Sequence, residues 1–337
     1  MKILEVTQMW PSPEHPDLGS FLVPLTREIE ALGHEIEVVS ISRRGGPPTE
    51  YATLVREARA AARRFKPDVV FAHFLFPAGA AGALAARAAD APLVVMAHGQ
   101  DVANIGRIRG ISTATSWVVR RSSAVIANSR WLAGRLIEQI PAAEAKIEVV
   151  DCGVDLQAFS PRPADEARRE LGWDGEGPAF LCIGSLIERK NVVRLADAFS
   201  ILGRGRLAFV GDGPLRNALE GRPDVTLVGR VPQTEVPRWL AAGDVLCQPS
   251  LTEPFGQATL EAMAMERTVM ATSNGGPPEF VTPEAGVLVD PQDPAALPPA
   301  MELAASKPTP NPAARRAAAE HDVKRQASRM AAILERA

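Results

Sequence analysis

The chain has 337 residues, 46% hydrophobic and 23% charged, with a formal net charge of −3. At ~150 residues per domain this suggests about two domains of ordinary globular composition, which excludes a disordered, coiled-coil or small disulfide-stapled protein. No apolar run approaches the about 20 residues that span a bilayer, which excludes an integral helical membrane protein.

Short apolar runs rich in β-branched residues recur between longer helix-like stretches. In the first half they lie at 2–7, 35–41, 68–74, 92–98, 123–129 and 147–152. Several are apolar almost throughout, as strands buried on both faces are. The helical segments between them have punctuated ends, with Gly33 closing the first and Pro67 stopping the second. Six more candidate strands follow, at 179–185, 206–212, 225–229, 244–250, 268–273 and 286–290. Strand-helix alternation of this kind predicts parallel, doubly wound sheets. The segment 159–178, rich in Pro, Gly and charge, reads as the interdomain connection with a short helix inside it. The expected division is therefore 1–158 for the first Rossmann-like domain and 159–312 for the second. The spacer at 307–312 precedes a last helix over 313–337 that is expected to pack back on the first domain. Two such domains are expected to face a central cleft, with ligands at the carboxyl ends of the strands.

The three cysteines, Cys152, Cys182 and Cys247, are odd in number and far apart. They suit core positions rather than a disulfide framework or a metal site, and no metal-ligand spacing occurs elsewhere. The start MKILEVTQMWPSPEHP meets an acid and then prolines instead of a long apolar core, so a cytoplasmic protein is expected. Residues 43–121 hold twelve basic and five acidic side chains, a local +7 that leaves −10 for the rest. A scattered solvated face accounts for this as well as an anionic or membrane-surface partner does. Nucleic acid is not an expected partner.

The stretch PSLTEPFGQATLEAMAME (249–266) carries the most chemistry. Gly256 is placed to open a helix whose free N–H groups and dipole suit an anion. Glu261 lies ~7.5 Å further along the helix axis, so Glu253 and Glu261 reach separated parts of one ligand. Two carboxylates flanking an anion-binding helix start suit a sugar nucleotide. A capping acid and an exposed helix glutamate fit the local pattern equally.

The loop that begins at Ser185 after the seventh strand carries Arg189 and Lys190, cations able to neutralise a diphosphate unless they are simply solvated. Gly211 and Gly213 in VGDGPLRNALE (210–220) allow a tight turn, with Asp212 as a helix cap. No GxGxxG fingerprint exists, which counts against a dehydrogenase. In the first half Gly19 and Ser20 stand at the first helix start. HGQD (98–101) follows the fourth strand, so His98 is a candidate with Asp101 to orient its ring. His73, after the third strand, is a weaker one.

Taken in order, these stretches resemble the retaining GT-B glycosyltransferases of family 4, also called group 1. HGQD is similar to that family's His-Gly-x-Asp segment, IGSLIERKN to its Gly-Arg-Leu-x-x-x-Lys-Gly loop, GDGPLR to its Gly-Asp-Gly-Pro turn, and PSLTEPFGQATLEAMA to its Glu-x7-Glu motif; EFVTPEAGVLVDPQDPAAL resembles the segment that follows. The resemblance implies a metal- and cofactor-independent enzyme. It would move a hexose from a nucleotide diphosphate sugar, UDP first and GDP-mannose second, to a hydroxyl of a glycan, lipid-linked or small-molecule acceptor.

The resemblance also assigns roles. Glu261 would hold the ribose, Glu253 the transferred sugar, and the backbone of Phe255, Gly256 and Gln257 the sugar and phosphate. Lys190 would face the diphosphate, Arg230 and Val231 the base, Gly211 and Gly19 the donor, and His98 the sugar near the reacting carbon. Ser185 stands where the family has an arginine, so Arg189 becomes the candidate second cation. Asn191 stands where the family has a glycine. A sugar-nucleotide epimerase of the same fold and a non-catalytic sugar-nucleotide-binding protein are the alternatives. The basic stretch fits a peripheral position at the inner face of a membrane.

Overall fold

The computed structural model describes residues 1–41 and 48–337. Arg43 and Arg44, part of the basic stretch, lie outside the described residues. All twelve expected strands are present. They are β1 (Lys2–Thr7), β2 (Glu35–Ser40), β3 (Val69–His73), β4 (Leu93–Ala97), β5 (Ala124–Ala127), β6 (Ile147–Val149), β7 (Ala179–Ile183), β8 (Arg206–Val210), β9 (Val225–Gly229), β10 (Val245–Gln248), β11 (Thr268–Thr272) and β12 (Gly286–Val289).

They form two six-stranded sheets in the orders β2-β1-β3-β4-β5-β6 and β12-β11-β10-β7-β8-β9. Every pairing between these strands is parallel. Central strands such as β3, β4, β7 and β11 are buried at every residue, while the edge strands β2, β6 and β9 are only partly so. That difference explains why the central strands read as continuous apolar runs.

The chain divides into two compact units, residues 1–153 with 323–337 and residues 154–322. These limits differ from the expected 158/159 and 312/313 because of packing at both passages. Val154 joins the core of the second unit, and helix Pro312–Ala319 buries Ala314 and Ala318 there. The expected single last helix is two helices. Only the second, Val323–Arg336, belongs to the first unit, where Val323, Ala327, Met330, Ile333 and Leu334 pack with Leu22, Leu25 and Ile29. Within the second unit the two passages run side by side: Val154 pairs in parallel with Asp322, and its N–H donates to the His321 carbonyl at 2.8 Å.

The cysteines are free and buried, as core residues are, and burial pushes the Cys182 thiol up to about 12. Among the described residues no helix is long and apolar enough to cross a membrane.

Each sheet reverses its strand order once, between β1 and β3 in the first unit and between β7 and β10 in the second. A switch point splays the loops that follow its two strands and opens a crevice at their carboxyl ends. In the second unit those loops are the segments 184–191 and 249–256. They are the two that carry Ser185, Arg189, Lys190, Glu253 and Gly256.

Candidate active site

In the second unit Glu253 is the centre of a buried polar cluster, at 9% exposure. Its carboxylate accepts from Lys190 Nζ at 2.6 Å and from Ser250 Oγ at 3.1 Å, and Arg189 Nη1 stands 3.8 Å away. Burial alone would raise its pKa. Lys190, Arg189 and the two hydrogen bonds outweigh that and hold the carboxyl below its ordinary value. Arg189 does more than face solvent, since its Nη1 donates to the Thr252 carbonyl at 2.9 Å and ties the two switch-point loops together.

The Glu253 backbone is fixed by a segment that sequence reasoning passed over. Gly275 pairs in parallel with Glu253, the Glu253 N–H donates to the Asn274 carbonyl at 3.1 Å, and the Gly276 N–H donates to the Glu253 carbonyl at 2.9 Å. Gly275 has φ 141°, and a Cβ there would lie 1.9 Å from the Glu253 carbonyl oxygen. Only glycine allows so close an approach. The signal was the Gly-Gly pair of SNGGPPEF at 273–280, directly after β11.

Gly256, at φ 109°, is the N-cap of helix Gln257–Ala264. Beside it Phe255 is buried against Phe280, with ring centroids 5.2 Å apart. Within this helix Glu261 is not the exposed side chain that its surface alternative required. It is 5% exposed, accepts from Gln233 Nε2 at 3.2 Å, and is pushed by burial up to about 8, against hydrogen bonds from Gln257 and Gln233 that pull the other way. Gln233, in the turn after β9, is a second residue missed from sequence, because only the strand order brings it to Glu261.

Gly211 and Gly213 close the β8 loop onto the β7 loop: a Cβ at Gly211 would meet the Gly184 carbonyl at 2.0 Å, and one at Gly213 the Leu186 carbonyl at 2.5 Å. The expected helix after Asp212 is a 3-10 turn, Arg216–Ala218, and Asp212 Oδ1 accepts from the Gly213 N–H instead of capping a longer helix. Ser185 is half-buried in the β7 loop; Arg230 is exposed after β9, and Val231 packs on the core.

In the first unit Gly19 is accounted for by packing, since a Cβ there would lie 2.5 Å from the Met9 carbonyl. The expected pairing of Asp101 with the His98 ring is not what forms. The buried Asp101 carboxylate accepts from the backbone N–H groups of Leu75, His98, Gly99 and Val102 at 2.8–3.2 Å, which pins the ends of β3 and β4 together. The ring partner of His98 is His73, Nδ1 to Nε2 at 3.1 Å. Phe21 and Phe74 flank the His98 ring at 5.5 and 4.5 Å. Burial, with the neighbouring His73, holds the His98 pKa well below its ordinary value, so the imidazole is neutral at pH 7.

Two doubly wound units with switch-point loops, a Lys-paired buried glutamate and a glycine-capped helix define the GT-B class of glycosyltransferase. The chain matches the family described as Glycosyltransferase Family 4 over residues 18–158 and that described as Glycosyl transferases group 1 over residues 177–306. It belongs to this family and is a glycosyltransferase.

A teichuronic acid biosynthesis glycosyltransferase, so named, from Bacillus subtilis is 26% identical over 88% of this chain and 87% of its own. The D-inositol 3-phosphate glycosyltransferase of Thermobispora bispora is 32% identical over 67% of this chain, which spans 60% of that protein. The sucrose-phosphate synthase of Thermosynechococcus elongatus superposes with a TM-score of 0.83 at 19% identity, covering 100% of this chain and 99% of that one. An Anabaena protein in complex with UDP-glucose superposes with a TM-score of 0.78 at 21% identity, over all of both chains. These last two likenesses concern the fold.

Proposed function

We propose that the enzyme transfers a hexose from a UDP-sugar, with GDP-mannose the next donor in order, to a hydroxyl acceptor with retention of anomeric configuration and without a metal. One observation carries this reading: Glu253 is buried in ionised form against Lys190, at a switch point, one turn from a left-handed glycine that starts a helix. In this reading Lys190 and Arg189 face the diphosphate, with Arg189 standing in for the cation absent at Ser185. The N–H groups of Phe255, Gly256 and Gln257 take phosphate and sugar oxygens. Glu261 holds the ribose hydroxyls, Arg230 and Val231 line the base, Gly211 and Gly19 let backbone approach the donor, and His98 meets the transferred sugar. Binding of UDP-glucose by the Anabaena protein supports the choice of UDP.

The acceptor belongs to the first unit, whose helix Pro48–Phe65 exposes Arg56, Arg59, Arg63 and Arg64. That basic face suits an anionic membrane surface at which a lipid-linked acceptor lies, on the cytoplasmic side.

The test is a panel of nucleotide sugars scored for binding and nucleotide release, with Glu261→Ala as control. UDP-sugars are expected to bind and turn over, and the variant to lose at least tenfold in affinity. If no nucleotide sugar binds to either protein, the donor-site assignment is wrong; if the product carries the inverted anomeric configuration by NMR, the retaining assignment is.

A further inference from the structure

The deepest polar feature of the first unit lies behind His98, on strands adjacent in the sheet order β1-β3-β4. Glu5 on β1 and His73 at the end of β3 are each 1% exposed, and Thr26 of helix Leu22–Ala31 is 6% exposed. Around them pack Ile3, Leu22, Phe71 and Met96, and the Phe71 ring centroid is 4.3 Å from that of His73. A carboxylate and two imidazoles in such a core cost stability unless they serve each other. The joint between the ends of β3 and β4 does not depend on them, because Asp101 already fastens it.

The atoms form a chain. Thr26 Oγ1 donates to Glu5 Oε2 at 2.8 Å. Glu5 Oε1 makes no well-aligned hydrogen bond, and His73 Nε2 stands 3.1 Å from it. His73 Nδ1 stands 3.1 Å from His98 Nε2. Among the described residues no group bonds His98 Nδ1.

We propose that Glu5 and His73 are positioning residues that fix which ring nitrogen of His98 carries its proton, leaving Nδ1 bare to accept a hydroxyl proton from the ligand. The reasoning is one of donor and acceptor parity. A carboxylate only accepts, so whenever His73 carries a single ring proton that proton sits on Nε2, facing Glu5, and its Nδ1 is bare. That bare nitrogen requires a donor opposite, so His98 holds its proton on Nε2. His98 then presents a lone pair rather than an N–H. The group it takes is a hydroxyl of the sugar or of the acceptor, and a ligand atom that only accepts is rejected. The inference rests on the placement of His98 in the transfer site proposed above, but its first readout does not.

That readout is the long-range 15N–1H correlation spectrum of the imidazoles in the unliganded enzyme at pH 8. Wild type is expected to show the Nε2–H tautomer for both His73 and His98. Glu5→Gln is the inverting variant. Its amide oxygen can still accept from Thr26, while its NH2 now donates to His73 Nε2, so both histidines should move to the Nδ1–H form. With that change kcat should fall at least tenfold, KM for the donor should stay within about threefold, and the melting temperature should hold within a few degrees. A wild-type Nδ1–H tautomer at His98, or a His98 spectrum unchanged in Glu5→Gln, overturns the proposal; the first of these needs no variant to fold. Full activity in His98→Ala overturns instead the placement of His98 in the transfer site, while the tautomer result stands.

Discussion

At the residue scale the two glutamates of the motif have opposite electrostatics, although the sequence shows them as a matched pair. Glu253 is ionised against Lys190; Glu261 has no cation beside it among the described residues and is pushed by burial up to about 8. In the unliganded enzyme Glu261 is therefore mostly protonated at pH 7. If it holds ribose hydroxyls as a carboxylate, donor binding must release that proton. Affinity for UDP-glucose, whose diphosphate has no proton to titrate in this range, should then tighten about tenfold per pH unit as the pH rises towards 8 and level off above it.

The stability sign follows from the same shift. The folded pKa lies above the unfolded one, so the contribution is complete below the unfolded value and is lost as pH rises through about 8. Glu261→Gln should gain on wild type between pH ~5 and ~8, by an amount on the order of a few kcal/mol, and then run parallel. Calorimetry in buffers of different ionisation enthalpy checks the first outcome and denaturation against pH the second. A pH-independent Kd between 6 and 8 contradicts the assignment of Glu261. The spacing of Glu253 and Glu261 was legible in sequence; their burial was not, because it depends on segments distant in sequence, the Lys190 loop and Gly275 at Glu253 and the turn with Gln233 at Glu261. The Glu5–His73–His98 chain was illegible for the same reason. Its members are 25 and 68 residues apart in sequence and meet only through the order β1-β3-β4.

At the element scale the strands were legible because burial on both faces removes the polar alternation from a sequence. The helix expected after Asp212 failed because the β8 loop is pulled onto the β7 loop at Gly211 and Gly213, which uses up the residues that would have formed its first turn. The same close approach holds the Glu253 loop at Gly275, and there it can be tested. Gly275→Ala adds a Cβ 1.9 Å from a carbonyl oxygen at φ 141°, so the backbone pair Glu253–Gly275 must separate. Gly221 also has positive φ, 72°, but open space around its Cβ position, so Gly221→Ala carries only the conformational cost. The expected losses are on the order of 3 kcal/mol or more for Gly275→Ala and about 1 kcal/mol for Gly221→Ala. Nucleotide affinity should fall at least tenfold in the first alone. Chemical denaturation with nucleotide titration distinguishes them, and equal effects of the two variants would show that the Gly275 contact does not position the loop.

At the scale of the whole chain, a net charge of −3 conceals a division of labour. The segment 43–121 is locally +7, and helix Pro48–Phe65 carries four of its twelve basic residues. Helix Pro48–Phe65 buries Leu54, Ala58, Ala61 and Ala62. Glu50, Thr53, Leu54 and Glu57 line a cleft of ≈ 480 Å³ shared with Ser12, Glu14 and Ser40. Arg56, Arg59 and Arg63 follow one another at helical spacing on another stripe; Arg56 stands 3.9 Å from Glu57, and Arg64 pairs with Glu37. Carboxylates along the cleft disfavour phosphate, so in the proposed reading it is the arginine stripe that would meet an anionic surface. Attraction of this kind is worth about 1 kcal/mol per arginine near an anionic membrane and is screened by salt. Wild-type protein should therefore sediment with phosphatidylglycerol-phosphatidylcholine vesicles at low ionic strength and not with phosphatidylcholine alone. Reversing two charges, Arg59→Glu with Arg63→Glu, should weaken that binding at least tenfold while leaving nucleotide binding within twofold, because neither residue lies in the unit that holds the Glu253 cluster. Equal binding of the wild type and the double variant would mean that the stripe is an ordinary solvated helix face, with its charge balanced locally as it is for Arg64 by Glu37.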